Sequence, residues 1–359
     1  MWVHIINRFL LTFCLMTLLF HSIKGQSTIM NDVVVAGVRD FKAENMLLYQ
    51  RAMGGWPKAV NDIKVDYTKQ LSVAEKKAIQ SDSLHNDATI DNNATTREIR
   101  YLVNAYKQTK NQQYLKSAEK GIRYYLMAQN NAGGWPQYFP DSSSYRGQIT
   151  YNDDAMINVL NVLQDIIEQK NDFDVIEATY LPLCKQAVNR GVDCILLTQI
   201  AVNGKLTAWC AQYNSKTLQP EMARKYELIS LSGNESVGIV RFLMRIQNPS
   251  QKSKQSIKAA IQWLEQVKIV GYKYVDIVSS TEKKAKDRVI IDDPNSTIWA
   301  RFYEIETNRP FFSGRDSQKK YRVSEIEVER RTGYDWYGTW PEKLLKIDYP
   351  AWKSRLNVK

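Results

Sequence analysis

Apolar residues recur at helical spacing through most of the chain. Ile99, Leu102, Val103 and Tyr106 fall on one face of a predicted helix, and Thr95 with Glu98 reads as a capping box at its start. Leu115, Ala118, Ile122, Tyr125 and Leu126 form the next stripe. Met156, Leu160, Leu163 and Ile167 form a third, entered from Asn152-Asp153. Val188, Ile195, Leu196 and Gln199 mark a fourth, and Ser232 with Glu235 caps a fifth that carries Val237, Val240 and Leu243. Alternating apolar and polar residues are scarce, with Ile269–Val278 and Lys320–Val328 the best strand candidates. The fold class that follows is mostly α.

An internal echo overlies this pattern. Gln50 is followed by Gly54-Gly55-Trp56-Pro57, and Gln129 by Gly133-Gly134-Trp135-Pro136, 79 residues later. A looser third copy runs from Gln199 through Gly204 to Trp209. Each copy closes a helix-like stretch with glycine and a tryptophan. Helix–loop–helix units repeating at roughly 70–80 residues suggest helix pairs arranged as a toroid, although a plain helical bundle gives a similar pattern.

Length and composition change the picture little. The chain has 359 residues, 44% of them hydrophobic and 24% charged, which suits a globular protein, and without a Pro/Gly/Ser-rich linker it is not split into independent domains. The N-terminus stands apart. Met1–Arg8 carries a positive charge, Phe9–Phe20 is almost wholly apolar, and the run ends near Ser22–Gly25. That layout predicts a signal peptide over residues 1–25 and a mature domain over 26–359, secreted or periplasmic, without stable membrane insertion once the signal is removed. Loss of residues 1–25 takes away Arg8 and Lys24 and no acid, so the net charge falls from +11 to +9. A basic exported protein suits an acidic partner: nucleic acid, anionic lipid or an acidic polysaccharide. Cys184, Cys194 and Cys210 remain, as one disulfide with a spare thiol or as buried free thiols.

The candidate chemistry lies in a few segments. In Thr89-Ile90-Asp91-Asn92-Asn93-Ala94-Thr95 the acid and amides lie just before a helix, and Thr150-Tyr151-Asn152-Asp153-Asp154-Ala155-Met156 has the same placement. Helix N-termini hold carboxylates ionised, so Asp91 and Asp153 converging at one end of a helical barrel would form an oxygen-rich site for calcium; simple helix capping is the alternative. Arg224 sits among Lys225, Tyr226 and Glu227, Arg301 among Trp299, Phe302 and Tyr303, and Arg315 in a Gly-Arg-Asp turn. Arginines among aromatics suit planar carboxylates, which they grip with paired hydrogen bonds. Trp56, Trp135, Trp209, Trp336 and Trp340 are either sugar-stacking or packing residues.

An ordered succession of short strings resembles the family ten pectate lyases. They are Gly-Gly-Trp-Pro, Thr-Ile-Asp-Asn, Tyr-Asn-Asp-Asp-Ala-Met, Gly-Lys-Leu-Thr-Ala-Trp-Cys-Ala-Gln, Ala-Arg-Lys-Tyr-Glu-Leu and Ser-Leu-Ser-Gly, then Ile-Trp-Ala-Arg-Phe-Tyr-Glu, Asn308-Arg309-Pro310 and Gly333-Tyr334-Asp335-Trp336-Tyr337-Gly338. They run in order from Gly54 to Trp340. The resemblance implies an (α/α)3 toroid with a little irregular β structure, acting as a monomer on polygalacturonate with no nucleic-acid partner. Asp91 and Asp153 match the family's calcium-binding acids, and Arg224 its Brønsted base. Arg301 and Arg315 match arginines that bind uronate carboxylates, and Asn92 is carried over as a neighbour of the site. After Cys210-Ala211-Gln212 the family pattern has His-Asp where this chain has Tyr213-Asn214, and Asp154 stands where a small residue is expected, adding a third carboxylate near the cation.

The implied reaction is β-elimination: the proton at carbon five of a uronate is removed while the glycosidic oxygen at carbon four leaves. An arginine base has to overcome a pKa above about 12. Nearby calcium and cationic arginines are expected to disfavour its charged form. Two other functions fit the same residues. One is an inverting glycoside hydrolase using Asp91 with Asp153 or Asp154, about 6.5–9.5 Å apart and without calcium. The other is a non-catalytic pectin-binding protein.

Overall fold

In a computed structural model of the chain, residues 39–278 and 286–357 are described. They belong to a compact unit, Val38–Lys359; the signal segment 1–25 lies outside the described residues. Five helices arise where the apolar stripes fall: α3 (Thr96–Thr109), α4 (Gln112–Ala128), α5 (Ala155–Glu168), α6 (Tyr180–Thr198) and α7 (Glu235–Arg245). Helices α1 (Phe41–Tyr49), α2 (Val73–Ser81) and α8 (Gln251–Gln266) complete the main set. α3 packs on α4, α5 on α6 and α7 on α8, and α3 and α7 both touch α5. The fold is therefore an (α/α)3 arrangement of helix pairs.

The echo is the joint between these pairs. In each copy a glutamine amide ties two carbonyls: Gln50 Nε2 to Gly54 and Ser117, Gln129 Nε2 to Gly133 and Ala187, Gln199 Nε2 to Thr207 and Ser256, all within 3.1 Å. The tryptophans are fully buried, and each indole N–H donates back into the helix before it: Trp56 to Met46 O at 2.8 Å, Trp135 to Tyr125 O at 2.7 Å, Trp209 to Ile195 O at 2.8 Å. They pack the joints and do not stack on sugars; truncating one such side chain costs about 3–5 kcal/mol. Gly133 has a φ of +88°, and a Cβ there would sit 2.2 Å from the Arg190 carbonyl oxygen, so both the turn and the close approach require glycine.

The structure contains a fourth copy that the sequence hides. Trp299 donates to Leu264 O at 2.8 Å in the same way. The strands Ile269–Val278 and Lys286–Ala300, paired antiparallel, lie between the α8 end and its tryptophan and stretch the spacing beyond recognition. Backbone hydrogen bonds then pass from copy to copy. Thr89, Thr150 and Ser232 donate to the carbonyls of Trp56, Trp135 and Trp209. Ile90, Tyr151 and Gly233 donate to Gln137, Ala211 and Arg301, each two residues past the tryptophan of the next copy.

Two expectations need correction. Lys320–Val328 is not a strand: Val323–Glu325 forms a 3-10 turn and Val328 opens α9 (Val328–Thr332). The turn places Val323 and Ile326 together in a second core with Tyr226, Phe302, Phe311, Phe312 and Trp336, which alternation would not do. Thr95 and Glu98 make no capping box. The Thr95 hydroxyl instead accepts from Trp56 N–H and donates to Thr89 O, while Glu98 accepts from the Tyr67 hydroxyl. Cys184, Cys194 and Cys210 are free and buried, and burial pushes the Cys184 and Cys194 thiols up to about 12. No helix of the described residues is long and apolar enough to cross a membrane.

Candidate active site

The turns that precede α3 and α5 share one backbone. Asn92 and Asn93 have φ of 50° and 61°, Asp153 and Asp154 have 51° and 58°. Left-handed residues without glycine favour Asn and Asp, which explains the composition of both turns. The shared backbone also corrects the expected placement of the acids. Asp91 is equivalent to Asn152, both buried, whereas Asn92 is equivalent to Asp153, both exposed. Acid and amide have exchanged places between the copies, so the two carboxylates differ by one position.

Each acid receives a cation from the residue two past an echo tryptophan. Lys58 donates to Asp91 Oδ2. Burial lowers the Lys58 pKa, but the charge and hydrogen bond of Asp91 outweigh it and the net shift is upward. Arg301, 4% exposed, donates through Nη2 to Asp153 Oδ1 at 2.9 Å, to Asn152 Oδ1 at 3.3 Å and to Glu235 Oε1. Burial works against its charge too, yet Glu235, Tyr334 and Asp153 together hold it firmly charged. Its Nε is buried without a partner, a donor orphaned beside the site.

Asp154 projects toward α7, where a Cβ added to Gly238 would fall 2.0 Å from its Oδ1. Loss of hydration first, then the charges of Glu235 and Asp153, push its pKa up to about 7, although the residue as a whole is exposed. An acid with a raised folded pKa destabilises the fold increasingly as pH climbs from the usual carboxylate range toward that value. Asp154→Asn should therefore raise the melting temperature of chelator-treated protein at about pH 8 and barely change it at about pH 4. Equal shifts at both pH values in a thermal melt would contradict this.

The donor set is hard oxygen, as calcium requires, but it is incomplete. Among the described residues the one group of three or more His, Cys, Asp or Glu ligands within 4.8 Å of each other is Asp82, His85 and Asp87. Asp91, Asp153 and Asp154 form no such cluster, so the expected third carboxylate does not join a preformed cage. Buried Arg51 already neutralises the other group, donating to Asp87 at 2.6 and 2.7 Å and lying 3.0 Å from Asp82. Asp91 and Asp153 each offer carboxylate oxygens of the hard type that calcium takes, and each is paired with a cation, Lys58 and Arg301.

Arg224 lies on the loop joining Ala223 to Glu227. Its Nε and Nη2 donate to Glu227 at 2.9 and 2.5 Å, and Glu227 also accepts the Tyr334 hydroxyl at 3.1 Å. The Tyr334 ring joins the two arginines: Arg301 Cζ is 4.6 Å and Arg224 Cζ 6.0 Å from its centroid. Desolvation lowers the Arg224 pKa, but the Glu227 bonds and charge win and raise it. This runs against the expectation that neighbouring cations would favour neutral Arg224, because the direct partner is an acid. Arg315 is exposed, donating to Glu329 at 3.2 and 2.9 Å; Glu329 also holds Arg330, whose Cζ lies 4.6 Å from the ring centroid of Tyr226.

A family model described as pectic acid lyase matches residues 50–345. The chain belongs to the pectic acid lyases. A solved structure, the family 10 polysaccharide lyase from Cellvibrio cellulosa, is 34% identical with a TM-score of 0.73, covering 86% of this chain and 91% of that one. An Asp-to-Ala mutant of the same lyase, in complex with trigalacturonic acid, matches at the same identity and TM-score over 86% and 92%. No curated protein sequence matches. The protein is thus an enzyme, a family ten polysaccharide lyase.

Within this lyase the Tyr213-Asn214 departure has a structural explanation. Tyr213 is fully buried and its hydroxyl accepts from Cys210 N–H at 2.6 Å, as Tyr303 does from Ala300 N–H at 2.8 Å in the fourth copy. Asn214 Oδ1 accepts from the N–H groups of Lys216 and Thr217, closing a turn. Four residues of the site were not legible beforehand: Lys58, Glu227, Glu235 and Tyr334. Glu227 alone had a usable signal, standing three residues after Arg224 in the sequence.

Proposed function

We propose that this lyase cuts α-1,4-linked polygalacturonate by calcium-assisted anti β-elimination, releasing 4,5-unsaturated oligogalacturonates. The observation that carries the reading is the Asp153–Arg301–Tyr334–Arg224 array, which sets an acid, a buried arginine and a second, half-exposed arginine side by side. The trigalacturonic acid bound by the Cellvibrio lyase mutant supports the choice of substrate.

In this reading Asp91 and Asp153 hold calcium, and Asn92 steadies Asp91 from the neighbouring position at 3.4 Å. When bound, the ion supplies Lewis acidity that stabilises negative charge on the substrate carboxylate. Arg301 grips a uronate carboxylate from a fixed position and lowers the orientational cost of reaction, and Arg315 takes a second uronate. Arg224 accepts the proton from carbon five. The fixed positive charge of Arg301 stabilises the enolate-like carboxylate that develops as the glycosidic oxygen departs. We further propose that residues 26–359 form the secreted or periplasmic catalytic domain, active as a monomer.

The test follows the ultraviolet absorbance of unsaturated uronate on de-esterified polygalacturonate. Chelator is expected to lower the rate about a hundredfold or more, with recovery on adding calcium. A chelator-insensitive rate with new reducing ends and no absorbance would contradict the reading and favour hydrolysis by the carboxylates.

A further inference from the structure

Glu227 is 5% exposed and turns both carboxylate oxygens to Arg224. Its Oε2 accepts from Arg224 Nε at 2.9 Å and from the Arg224 backbone N–H at 3.1 Å; its Oε1 accepts from Nη2 at 2.5 Å and from the Tyr334 hydroxyl at 3.1 Å. Nη1 is the one nitrogen of the guanidinium that no acceptor among the described residues holds, and the side chain remains 40% exposed.

We propose that Glu227 is the positioning residue that makes Nη1 of Arg224 the proton acceptor. The inference rests on the reading of Arg224 as base. A neutral guanidine has one imine nitrogen with a free lone pair. Nε must keep its one hydrogen to satisfy Glu227, and Nη2 donates more strongly to the carboxylate as an amino than as an imine nitrogen, so the imine falls on Nη1. The logic is that of a carboxylate that fixes the tautomer of a catalytic imidazole.

The step balances. The Nη1 lone pair takes the proton from carbon five, and the electrons of that C–H bond form the double bond to carbon four. The bond from carbon four to the glycosidic oxygen breaks with its electron pair on oxygen, which takes a proton from water. The hydroxide left behind removes the proton from Arg224.

Glu227 has two opposed effects. It stabilises the guanidinium that forms in the transition state, and it also holds the resting side chain charged, so the neutral base is scarce until the pH is high. Among the described residues the other groups acting on Arg224 are two tyrosines. Tyr226 and Tyr334 lie 5.0 and 6.0 Å from its Cζ, with Arg330 against Tyr226 and Arg301 against Tyr334. Burial first, then the nearby acids, keeps Tyr334 protonated against the pull of Arg301.

The experiment compares kcat, KM and the pH profile of Glu227→Gln and Glu227→Asp with wild type. Glu227→Gln is expected to lower kcat about a hundredfold or more, hold KM within about threefold and move the limb over which kcat rises with pH to lower pH. Glu227→Asp keeps the charge, so it should bring the limb back and recover about tenfold of the loss. A Glu227→Gln kcat within about threefold of wild type, or a fall with the limb unmoved, overturns the proposal. If Glu227→Gln fails to fold, Glu227→Asp decides, and an unchanged kcat overturns it. Arg224→Lys run alongside separates the two levels. An active Arg224→Lys removes the base reading itself, whereas an inactive one beside a normal Glu227→Gln removes only the role of Glu227.

Discussion

Arg224→Lys is expected to abolish turnover, lowering kcat by about a thousandfold or more while trigalacturonate affinity stays within about threefold. Lysine keeps the positive charge, so the general attraction for uronates survives. It loses the planar fork: one ammonium cannot satisfy both Glu227 oxygens and still present a second nitrogen to the substrate. The charge is therefore conserved and the geometry is not. Steady-state rates together with calorimetric binding check this. A mutant that keeps more than a few per cent of the wild-type rate would show that Arg224 is not the base.

Arg301→Ala should have a large effect on the fold. Arg301 compensates Glu235, which is 1% exposed and fixed in the first turn of α7, and it also ties the fourth copy to Asp153 of the second. Removing the arginine leaves a buried carboxylate uncompensated, at a cost of about 3–5 kcal/mol. Arg315→Ala removes an exposed pair with Glu329, worth about 0–1 kcal/mol, so it should alter KM with little change in stability. Denaturant unfolding of the two mutants distinguishes them. Adding Glu235→Gln to Arg301→Ala should restore part of the lost stability, because no buried charge then lacks a partner. Equal stabilities for Arg301→Ala and Arg315→Ala would contradict this account of the cluster.

The helices of the toroid were legible because their apolar stripes face one another. Ile99, Leu102 and Val103, or Leu160 and Leu163, are all essentially inaccessible, and periodicity reports burial directly. The joints were half legible. Three tryptophans stood at recognisable spacing, whereas Trp299 was concealed by the strand pair at 269–300. Lys320–Val328 misled because its branched residues serve a 3-10 turn packed on a second core. The acids were found because Asn and Asp before a helix leave a compositional trace, but the trace does not give register, so the exchange between Asp91 and Asn152 appeared only with the backbone angles. Glu235 and Tyr334 lie far in sequence from the arginines they serve. Their roles depend on tertiary approach, which a single sequence does not encode locally.

The central claim is that this protein breaks polygalacturonate by elimination, not hydrolysis. The most direct measurement is the mass of the oligomers released from de-esterified polygalacturonate by the purified protein with calcium present. The account predicts a new non-reducing end lighter by one molecule of water than the hydrolytic product, absent when Arg224 is replaced by lysine. Oligomers carrying the full mass of water at that end would contradict it.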